Sequence, residues 1–425
     1  MIRTAQQEKL KMANHSRMTR RKSANLVIES LEDKVVMTAT MPVRPAVLPS
    51  GYFSLGNRQS PVVPKGAPVE TATFIDPTTS IDHVRSVGIK GESYIAPFTN
   101  LVSGRNRILI GEGTNLQDNV TIDARRGNVV IGDNVALAHG VTVIGPATIG
   151  GDAAHPTFVS FNSVIDKATI QQGSFVSAMA KVGPGVVLRT GMKVLPGVFV
   201  QTQAEADDIS LGKVVQMSQG DVDFVNGVLH VNHALASGYA GIYYTSPRLV
   251  HGIGANPSVE FNEGQTIPTT HGTSKPFAAF RNRIIGKATL ANSIVALEKV
   301  LGYGNSIRAD EGYSFIIGKI RKFHNRITFH ALEHTGITVG NGLKLGFHTL
   351  VHGGPDIPNA DPNDVTVIGN NVSVGSVSVV FRSTVGDNVK IGNKVLLDHC
   401  NIAPGTVIPD GTIMINNVVI GKIQW

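Results

Sequence analysis

Apolar residues recur at every sixth position over long stretches of this chain. Glycine often follows the apolar residue, as Gly132 follows Ile131 and Gly386 follows Val385. A six-residue apolar period with small residues beside it predicts a parallel β-helix, in which short strands coil around one core. Two runs carry the period most clearly: Ile131, Leu137, Val143 and Ile149 in the first half, and Val379, Val385, Ile391 and Leu397 in the second.

The two halves of the chain also match each other. Residues 129–145 align without a gap with residues 337–353, and FNS at 161–163 corresponds to FRS at 381–383. This self-similarity predicts a tandem duplication, and so a mainly β fold with two parallel β-helix domains. The predicted organisation is a basic segment at 1–45, a Pro-rich linker at 46–75, a first β-helix domain at 76–245, a second linker at 246–280 and a second β-helix domain at 281–425.

A helical pattern interrupts the six-residue period between Asp221 and Tyr239, with Asp221 as the candidate N-cap. We expect this accessory α-helix to pack along the outside of the first β-helix. His230 and His233 lie on it, and we interpret them as structural or solvated residues rather than ligands. The residues near one face of the helix are Val225, Leu229, Asn232, Leu235 and Tyr239.

Composition and charge narrow the function. The chain has 425 residues, of which 42% are hydrophobic and 16% charged, so it can bury a large core. The net charge is +7, but no basic stripe with interleaved aromatic residues follows the basic N-terminal cluster, so we expect no nucleic-acid partner. The single cysteine, Cys400, excludes an intramolecular disulfide and a CxxC metal site. No apolar run approaches the ~18 residues of a transmembrane helix.

The first 45 residues carry a basic cluster at 17–22 followed by NLVIESLEDKVVMTA at 25–39. This stretch resembles the short N-terminal sorting segments of planctomycete extracytoplasmic proteins. The resemblance implies an extracytoplasmic or cell-surface location. The alternative is a frayed amphipathic helix, which would leave the protein in the cytoplasm.

Histidines are concentrated in the second half. Five of the fourteen histidines in the chain are His324, His330, His334, His348 and His352. Residues on successive coils of a β-helix stack, so histidines from separate coils can converge on one point. Neutral imidazoles suit zinc and other borderline metals. The cluster therefore predicts a metal site, although His334, like His399, is interpreted as a surface or core-edge residue.

Several motifs together resemble gamma-class carbonic anhydrases: NLQDNVTI at 115–122, LAHGVTVIGPATIG at 137–150, IRADEG at 307–312, HALE at 330–333 and VHGG at 351–354. The resemblance implies a left-handed β-helix and hydration of CO2 to bicarbonate by a Zn²⁺ or Fe²⁺ hydroxide. It also implies a homo-oligomer, a trimer or larger, without a transmembrane segment. Active sites of the family lie between subunits, with two metal histidines from one β-helix and the third from its neighbour.

When the family's metal positions are transferred to this sequence one by one, neither half holds all three histidines. His330 and His352 match the first and last ligands in the second half, where Phe347 replaces the middle one. In the first half His139 matches the middle ligand, while Asp123 and Ile144 stand at the other two positions. The resemblance therefore implies a metal set of His330, His352 and His139 if the halves pair. His348, beside Phe347, is the alternative third ligand.

Other family positions are also divided between the halves. Arg308 and Asp310 match a salt-bridging interface pair, and Asp118 matches another interface residue. Gln117 matches the residue that supports the bound hydroxide, whereas the second half has His324 and Asn325 in place of this Gln-Asp pair. Two acidic residues tied to proton transfer match Glu311 and Glu333.

The leading functional prediction is a gamma-type carbonic anhydrase with a degenerate first half, whose bound water ionises near pH 7, so that activity rises with pH. One alternative is a non-catalytic trimeric β-helix scaffold. In such a trimer, first and second halves could stack in separate layers, each of which would lack a ligand. A hexapeptide-repeat acyltransferase is the other alternative, and the IRADEG and HALE motifs favour the anhydrase.

Overall fold

Short parallel strands coil around two separate cores in the structure, a computed structural model that describes residues 48–54, 71–354 and 365–425. Each coil contributes one strand to each of three sheets, which form the sides of a prism. The predicted fold class, two left-handed parallel β-helices with an accessory α-helix, is confirmed. The predicted sorting segment lies outside the described residues.

The first prism, prism 1, has three sheets. Sheet 1A contains Phe53–Ser54, Val87–Ile89, Ile108–Ile110, Val129–Ile131, Ala147–Ile149, Thr169–Ile170 and Val187–Leu188. Sheet 1B contains Phe74–Ile75, Tyr94–Ile95, Asn115–Leu116, Val135–Leu137, Thr157–Val159, Phe175–Val176, Met192–Val194 and Val214–Gln216. Sheet 1C contains Ser80–Asp82, Asn100–Val102, Thr121–Asp123, Thr142–Ile144, Val164–Asp166, Lys181–Val182 and Phe199–Val200.

The second prism, prism 2, repeats this arrangement. Sheet 2A contains Ile253–Gly254, Arg283–Gly286, Ser306–Ala309, Thr328–Ala331, Leu350–Gly353, Val379–Phe381, Leu396–Asp398, Thr412–Ile415 and Val418–Lys422. Sheet 2B contains Thr269–Thr270, Thr273–Ser274, Ala288–Leu290, Phe315–Ile317, Ile337–Val339, Thr366–Ile368, Thr384–Val385 and Asn401–Ile402. Sheet 2C contains Lys322–Phe323, Lys344–Leu345, Ser373–Val374, Lys390–Ile391 and Val407–Ile408.

The six-residue period places one apolar residue of each strand inside the prism. Leu116 and Leu137 are register partners on neighbouring coils, and both are fully buried. Glycine often follows the buried apolar residue for a steric reason, because neighbouring coils approach closely at the corners. A Cβ added to Gly111 would lie 2.2 Å from the carbonyl oxygen of Gly132 one coil above.

The longest helix in the described residues, Gln219–Thr245, is the accessory helix that the sequence predicts, and we call it the long helix. Its N-cap is Ser218 and not Asp221. The Ser218 side chain accepts from the backbone N–H of Asp221, and the Asp221 carboxylate accepts from Ser218 in return, which is a capping box. The remaining helices in the part of the chain that the structure describes are Val84–Ser86, Gln203–Asp207, Ile209–Leu211, Pro247–Val250 and Ile294–Val300.

The long helix packs against both prisms. Its Val228 and Leu229 share an apolar cluster with Phe158 of prism 1 and with Leu350 and Phe381 of prism 2. The helix therefore covers the contact between the prisms, which is more than the predicted packing along the first one. No helix among the described residues combines the length and apolar character needed to span a membrane.

The stretch predicted as the second linker, 246–280, contains regular structure that begins prism 2. Ile253–Gly254 pairs in parallel with Arg283–Gly286, and Thr269–Thr270 pairs in parallel with Ala288–Leu290. These pairs close the first coil of prism 2 directly after the long helix. The chain thus passes from one prism to the other through a helix that is itself packed on both.

Candidate metal centre

His330 and His352 are direct register partners in sheet 2A, and Arg308 is the register partner of His330 on the preceding coil. Side chains alternate along a strand. Phe329 precedes His330 and Val351 precedes His352, and both apolar residues belong to the core of prism 2. The two histidines, and Arg308 in register with them, therefore lie on the opposite face, toward prism 1.

His139 reaches the same point from prism 1. Because Leu137 stacks on Leu116, the corner that follows Leu137 lies above the corner Gln117–Asp118. His139 therefore sits over Asp118, with its Nδ1 3.1 Å from Asp118 Oδ2. Sheet 1B faces sheet 2A at this level, so the imidazole points between the prisms.

Three buried imidazoles converge in this contact. Nε2 of His139 and Nε2 of His352 each lie 3.1 Å from Nδ1 of His330. The three side chains are exposed by 3%, 1% and 1% for His139, His330 and His352 respectively. His348, the alternative third ligand, instead lies next to Gly140, and its carbonyl accepts from Asn162.

The triad has the spacing of a metal site. Two imidazole nitrogens bound to one zinc at about 2.0–2.1 Å in tetrahedral geometry lie about 3.3 Å apart, close to the 3.1 Å found. The ring planes of His330 and His352 are inclined by 68°. Both contacts are also within N–H···N hydrogen-bond distance, and with the three facing nitrogens unprotonated the same spacing fits a divalent metal.

Carboxylates hold the rings in these orientations. Nε2 of His330 lies 3.0 Å from Glu311 Oε1 and 3.5 Å from Asp310 Oδ1, and both acids are fully buried. Asp118 takes the same role beside His139. A carboxylate on the far nitrogen fixes the tautomer that leaves the other nitrogen free to bind a metal.

Arg308 joins the carboxylates of the two prisms. Its guanidinium donates to Asp118 at 2.9 Å, to Asp310 at 2.6 Å and to the Gln117 side-chain oxygen at 2.8 Å. All of these groups are buried within one chain. The resemblance implies an interface between subunits for Arg308, Asp310 and Asp118, and the structure places them in the contact between two prisms of the same chain.

The long helix contributes two polar residues to the centre. The Tyr239 hydroxyl donates to Asp310, and Asn232 accepts from the Gln117 side chain. Sequence analysis placed both on the apolar face of the helix but gave them no part in the site. An asparagine on a buried helical face is the signal that could have found Asn232, because a buried amide needs partners.

Burial and charge set the protonation of the centre. Burial alone would raise the pKa of Asp118 and of Asp310, but the charge of Arg308 and the neighbouring histidines outweigh it and hold both pKa values well below the ordinary range. Burial lowers the pKa of His139 to about 4, despite Asp118. Burial and the charge of Arg308 would lower the pKa of His330, yet Glu311 and Asp310 raise it.

The site adjoins two cavities. One, of about 20 Å³, is bounded by the three histidines and Gln117, and a cavity of this size holds one water molecule. A second cavity of about 450 Å³ between the prisms shares Phe161 and Phe224 with the first. The Phe161 ring lies 4.8 Å from the His352 ring, centroid to centroid, and so separates the triad from the larger cavity.

The remaining predicted residues lie around or away from the triad. Glu333 is half-buried. Its pKa is raised mainly by this burial and, to a smaller extent, by the charge of Glu311. His334 is exposed, as the sequence indicated. Asp123 lies on sheet 1C and pairs with Arg125 at 2.6 Å. His230 contacts Glu260 on the surface, and the charges of this pair act on Glu333.

The chain is similar in sequence to several known proteins. A carbonic anhydrase from Methanosarcina thermophila is 28% identical over 207 residues, which cover 43% of this chain and 80% of that protein. The carboxysome assembly protein CcmM of a Nostoc species is 28% identical over 185 residues, 41% of this chain. The bifunctional protein GlmU of Heliobacterium modesticaldum is 25% identical over 152 residues. The matched part covers 31% of CcmM and 31% of GlmU.

No protein-family model matches the chain. Among solved structures, a hexapeptide transferase family protein from Anaplasma phagocytophilum covers 40% of this chain and 93% of its own, with 23% identity and a TM-score of 0.29. The sequence matches and the coiled strands together make this chain a hexapeptide-repeat β-helix protein.

Removing Arg308 should destabilise the chain strongly. Arg308→Ala leaves Asp118 and Asp310 buried without their shared cation, and loss of one partner from a buried pair costs about 3–5 kcal/mol. The free energy of unfolding by urea measures the effect. Arg125→Ala is the control, because it breaks an exposed pair and should cost at most ~1 kcal/mol. Equal losses in the two variants would contradict the assignment.

Stability should also fall in acid. The folded-state pKa values of Asp118 and Asp310 lie below their ordinary values, so their contribution is fully present above about pH 5 and is lost as pH falls through about 3.9 and below. Urea midpoints of metal-free protein measured from neutral pH downward should show this loss. Arg308→Ala should flatten the profile, whereas Arg125→Ala should leave its shape unchanged.

Proposed function

We propose that this protein is a gamma-type carbonic anhydrase that hydrates CO2 to bicarbonate, with Zn²⁺ or Fe²⁺ held by His139, His330 and His352. The observation that carries the proposal is the convergence of three buried imidazole nitrogens from two prisms, all within 4.8 Å of one another and with two of the three spacings at 3.1 Å. Three histidines with room for one water are the ligand set of a catalytic rather than a closed structural site. The sequence similarity to the carbonic anhydrase of Methanosarcina thermophila supports the same proposal.

The buried charges favour a divalent cation. Asp118, Asp310 and Glu311 bring three negative charges when ionised, and Arg308 brings one positive charge, so the sum is −3 + 1 = −2. A divalent metal brings that sum to zero. Without one, protonation must offset the charge, as the raised pKa of His330 beside Glu311 and Asp310 allows in part.

When bound, the metal would lower the pKa of a water molecule to about 7 and so supply hydroxide for attack on CO2. The chain's own part is to position the reactants. Gln117 lines the water-sized cavity. Its amide is fixed at both ends, since the oxygen accepts from Arg308 and the nitrogen donates to Asn232. A fixed amide orients a water or a CO2 oxygen without reorganisation.

Two acids offer a route for the released proton. Glu311 is fully buried and contacts His330. Glu333 is 25% exposed and reaches solvent, and its raised pKa, caused by burial and by Glu311, suits an acid that both takes up and releases protons. We assign Glu333 as the exit of the proton path.

CO2 is apolar, and the larger cavity would admit it to the triad once the Phe161 ring, which separates the two spaces, moves aside. Phenylalanines at 161, 224 and 381 line that cavity on the side of the histidines. Two of its charged groups, Lys193 and Asp221, form an ion pair with 2.5 Å between Nζ and Oδ1. Neither residue lines the water-sized cavity at the triad. This route would admit CO2 while excluding bulk water, which strengthens the electrostatic effect of the site.

One chain would contain a complete centre. Because both prisms of one chain supply ligands, the centre does not require a second subunit, and the layered arrangement in which each layer lacks a ligand does not apply. Assembly of the chain into a homo-oligomer remains a proposal from the resemblance. The extracytoplasmic location likewise stays a prediction.

Each of the three histidines should be required for metal. His139→Ala, His330→Ala and His352→Ala should lose bound zinc or iron and CO2 hydration, because two imidazoles make a weak site. His348→Ala is the matched control, since it removes a neighbouring histidine outside the triad, and it should keep both. Metal content by mass spectrometry and CO2 hydration by stopped flow are the measurements.

Different outcomes separate the candidate functions. Full occupancy in His139→Ala would show that the prisms do not share the site. A parent protein that binds the metal through all three histidines but does not hydrate CO2 would support the non-catalytic scaffold instead. Loss of metal in His348→Ala alone would move the third ligand to that residue.

Glu333→Gln should slow proton release without disturbing the metal. We expect kcat at low buffer concentration to fall about 100-fold, within the range for loss of a general acid–base group, and kcat/KM to change little. Added imidazole buffer should restore kcat by accepting the proton directly. An equal fall in kcat/KM, or no rescue by buffer, would assign Glu333 a structural role.

A further inference from the structure

A third inter-prism arginine, Arg326, differs from the other two. Its Nη2 donates to the carbonyl of Asn119 at 2.7 Å and to the hydroxyl of Thr121 at 2.9 Å, and its Nε lies 3.4 Å from the Asn119 side-chain oxygen. All of these acceptors are neutral. By contrast, Arg308 and Arg283 each donate to a carboxylate of prism 1.

Arg326 therefore brings an uncompensated positive charge into the contact between the prisms. Within residues 48–54, 71–354 and 365–425, no carboxylate lies within 4.0 Å of its guanidinium. Burial lowers its pKa, opposed only by the Tyr303 hydroxyl. Arg326 is half-buried, so its charge is partly removed from water without a counterion, and the position favours an anion from solution.

The cavity beside Arg326 suits such an anion. It has a volume of about 230 Å³ and is lined by hydroxyl and amide side chains, with no carboxylate: Thr78, Ser80, Asn100, Asn119 and Tyr303. The Tyr303 ring is oriented by an edge contact with Phe98 at 6.0 Å between centroids. A guanidinium carries five N–H donors, and the bonds above leave the two on Nη1 without an acceptor in the described part of the chain.

We propose that this cavity binds a small oxyanion, of the phosphate, sulfate or bicarbonate class, on the Arg326 guanidinium. Charge-assisted hydrogen bonds from the guanidinium would hold one edge of the anion. The hydroxyls of Ser80 and Tyr303 and the amide of Asn100 line the remainder of the space. None of the residues lining this cavity lines the water-sized cavity at the histidines, so the two sites are separate.

The oxyanion site is nevertheless close to the metal centre along the chain. Asn119, which accepts from Arg326, follows Asp118 directly. Its side chain also donates to Thr328, which lies on the strand of His330. An anion that orders Arg326 would therefore stabilise the inter-prism contact next to the metal ligands, whether or not the metal site is catalytic.

Calorimetry of the full chain at constant ionic strength tests the site, with phosphate, sulfate and bicarbonate titrated in separate experiments after a chelator has removed metal, so that bicarbonate cannot bind as product at the histidines. We expect one anion per chain, and the three affinities identify which oxyanion the site prefers. Arg326→Gln should weaken binding about 10- to 100-fold, as expected for loss of charge-assisted hydrogen bonds. His330→Ala is the control for binding at the histidines and should leave the affinity unchanged.

Ser80→Asp provides a second variant that keeps Arg326 and its bonds. Ser80 is exposed at the cavity, so the change should not prevent folding, and its carboxylate should displace the anion by neutralising the guanidinium. Unchanged binding in Ser80→Asp, loss of binding in His330→Ala, or no binding of any of the three anions to the parent would each overturn the proposal.

Discussion

A single guanidinium shared by two buried carboxylates is the interaction on which the contact between the prisms depends. Arg308 joins Asp118 of prism 1 to Asp310 of its own prism, where no solvent screens the charges. The same two carboxylates orient His139 and His330. The group that stabilises the contact thus also determines the direction of the imidazoles, so packing and site geometry cannot vary independently.

The division of residues between the prisms follows from this arrangement. A site shared by two identical β-helices needs only one face from each copy. On the duplication that the matching halves predict, the unused faces would be free to change, which would account for Ile144 in prism 1 and Phe347 in prism 2. Covalent linkage also makes the contact intramolecular, so the prisms meet at a high effective concentration. The long helix adds to this by packing on both prisms and closing the site with Asn232 and Tyr239.

The three arginines in the contact between the prisms differ in what surrounds them. Arg283 and Arg308 meet acids from prism 1, whereas Arg326 meets only neutral oxygens beside a cavity. Arg283 and Arg308 are fully buried and Arg326 is half-buried, and a charge that is withdrawn from water without a counterion is unfavourable. The first two arginines therefore hold the prisms together, while the third is suited to a charged ligand.

The sequence by itself determined the coils and the set of histidines from which the ligands could come, and it predicted the duplication. The six-residue period is a local property, because one apolar residue per strand must enter the prism, and it identified core positions such as Leu137 and Val351. It could not decide between His139 and His348, since that choice depends on how two separate prisms dock. The N-cap at Ser218 and the roles of Asn232 and Tyr239 were missed as well. Only the tertiary structure set the prisms side by side, because contacts between residues about 190 positions apart, as for His139 and His330, leave no periodic trace in the chain.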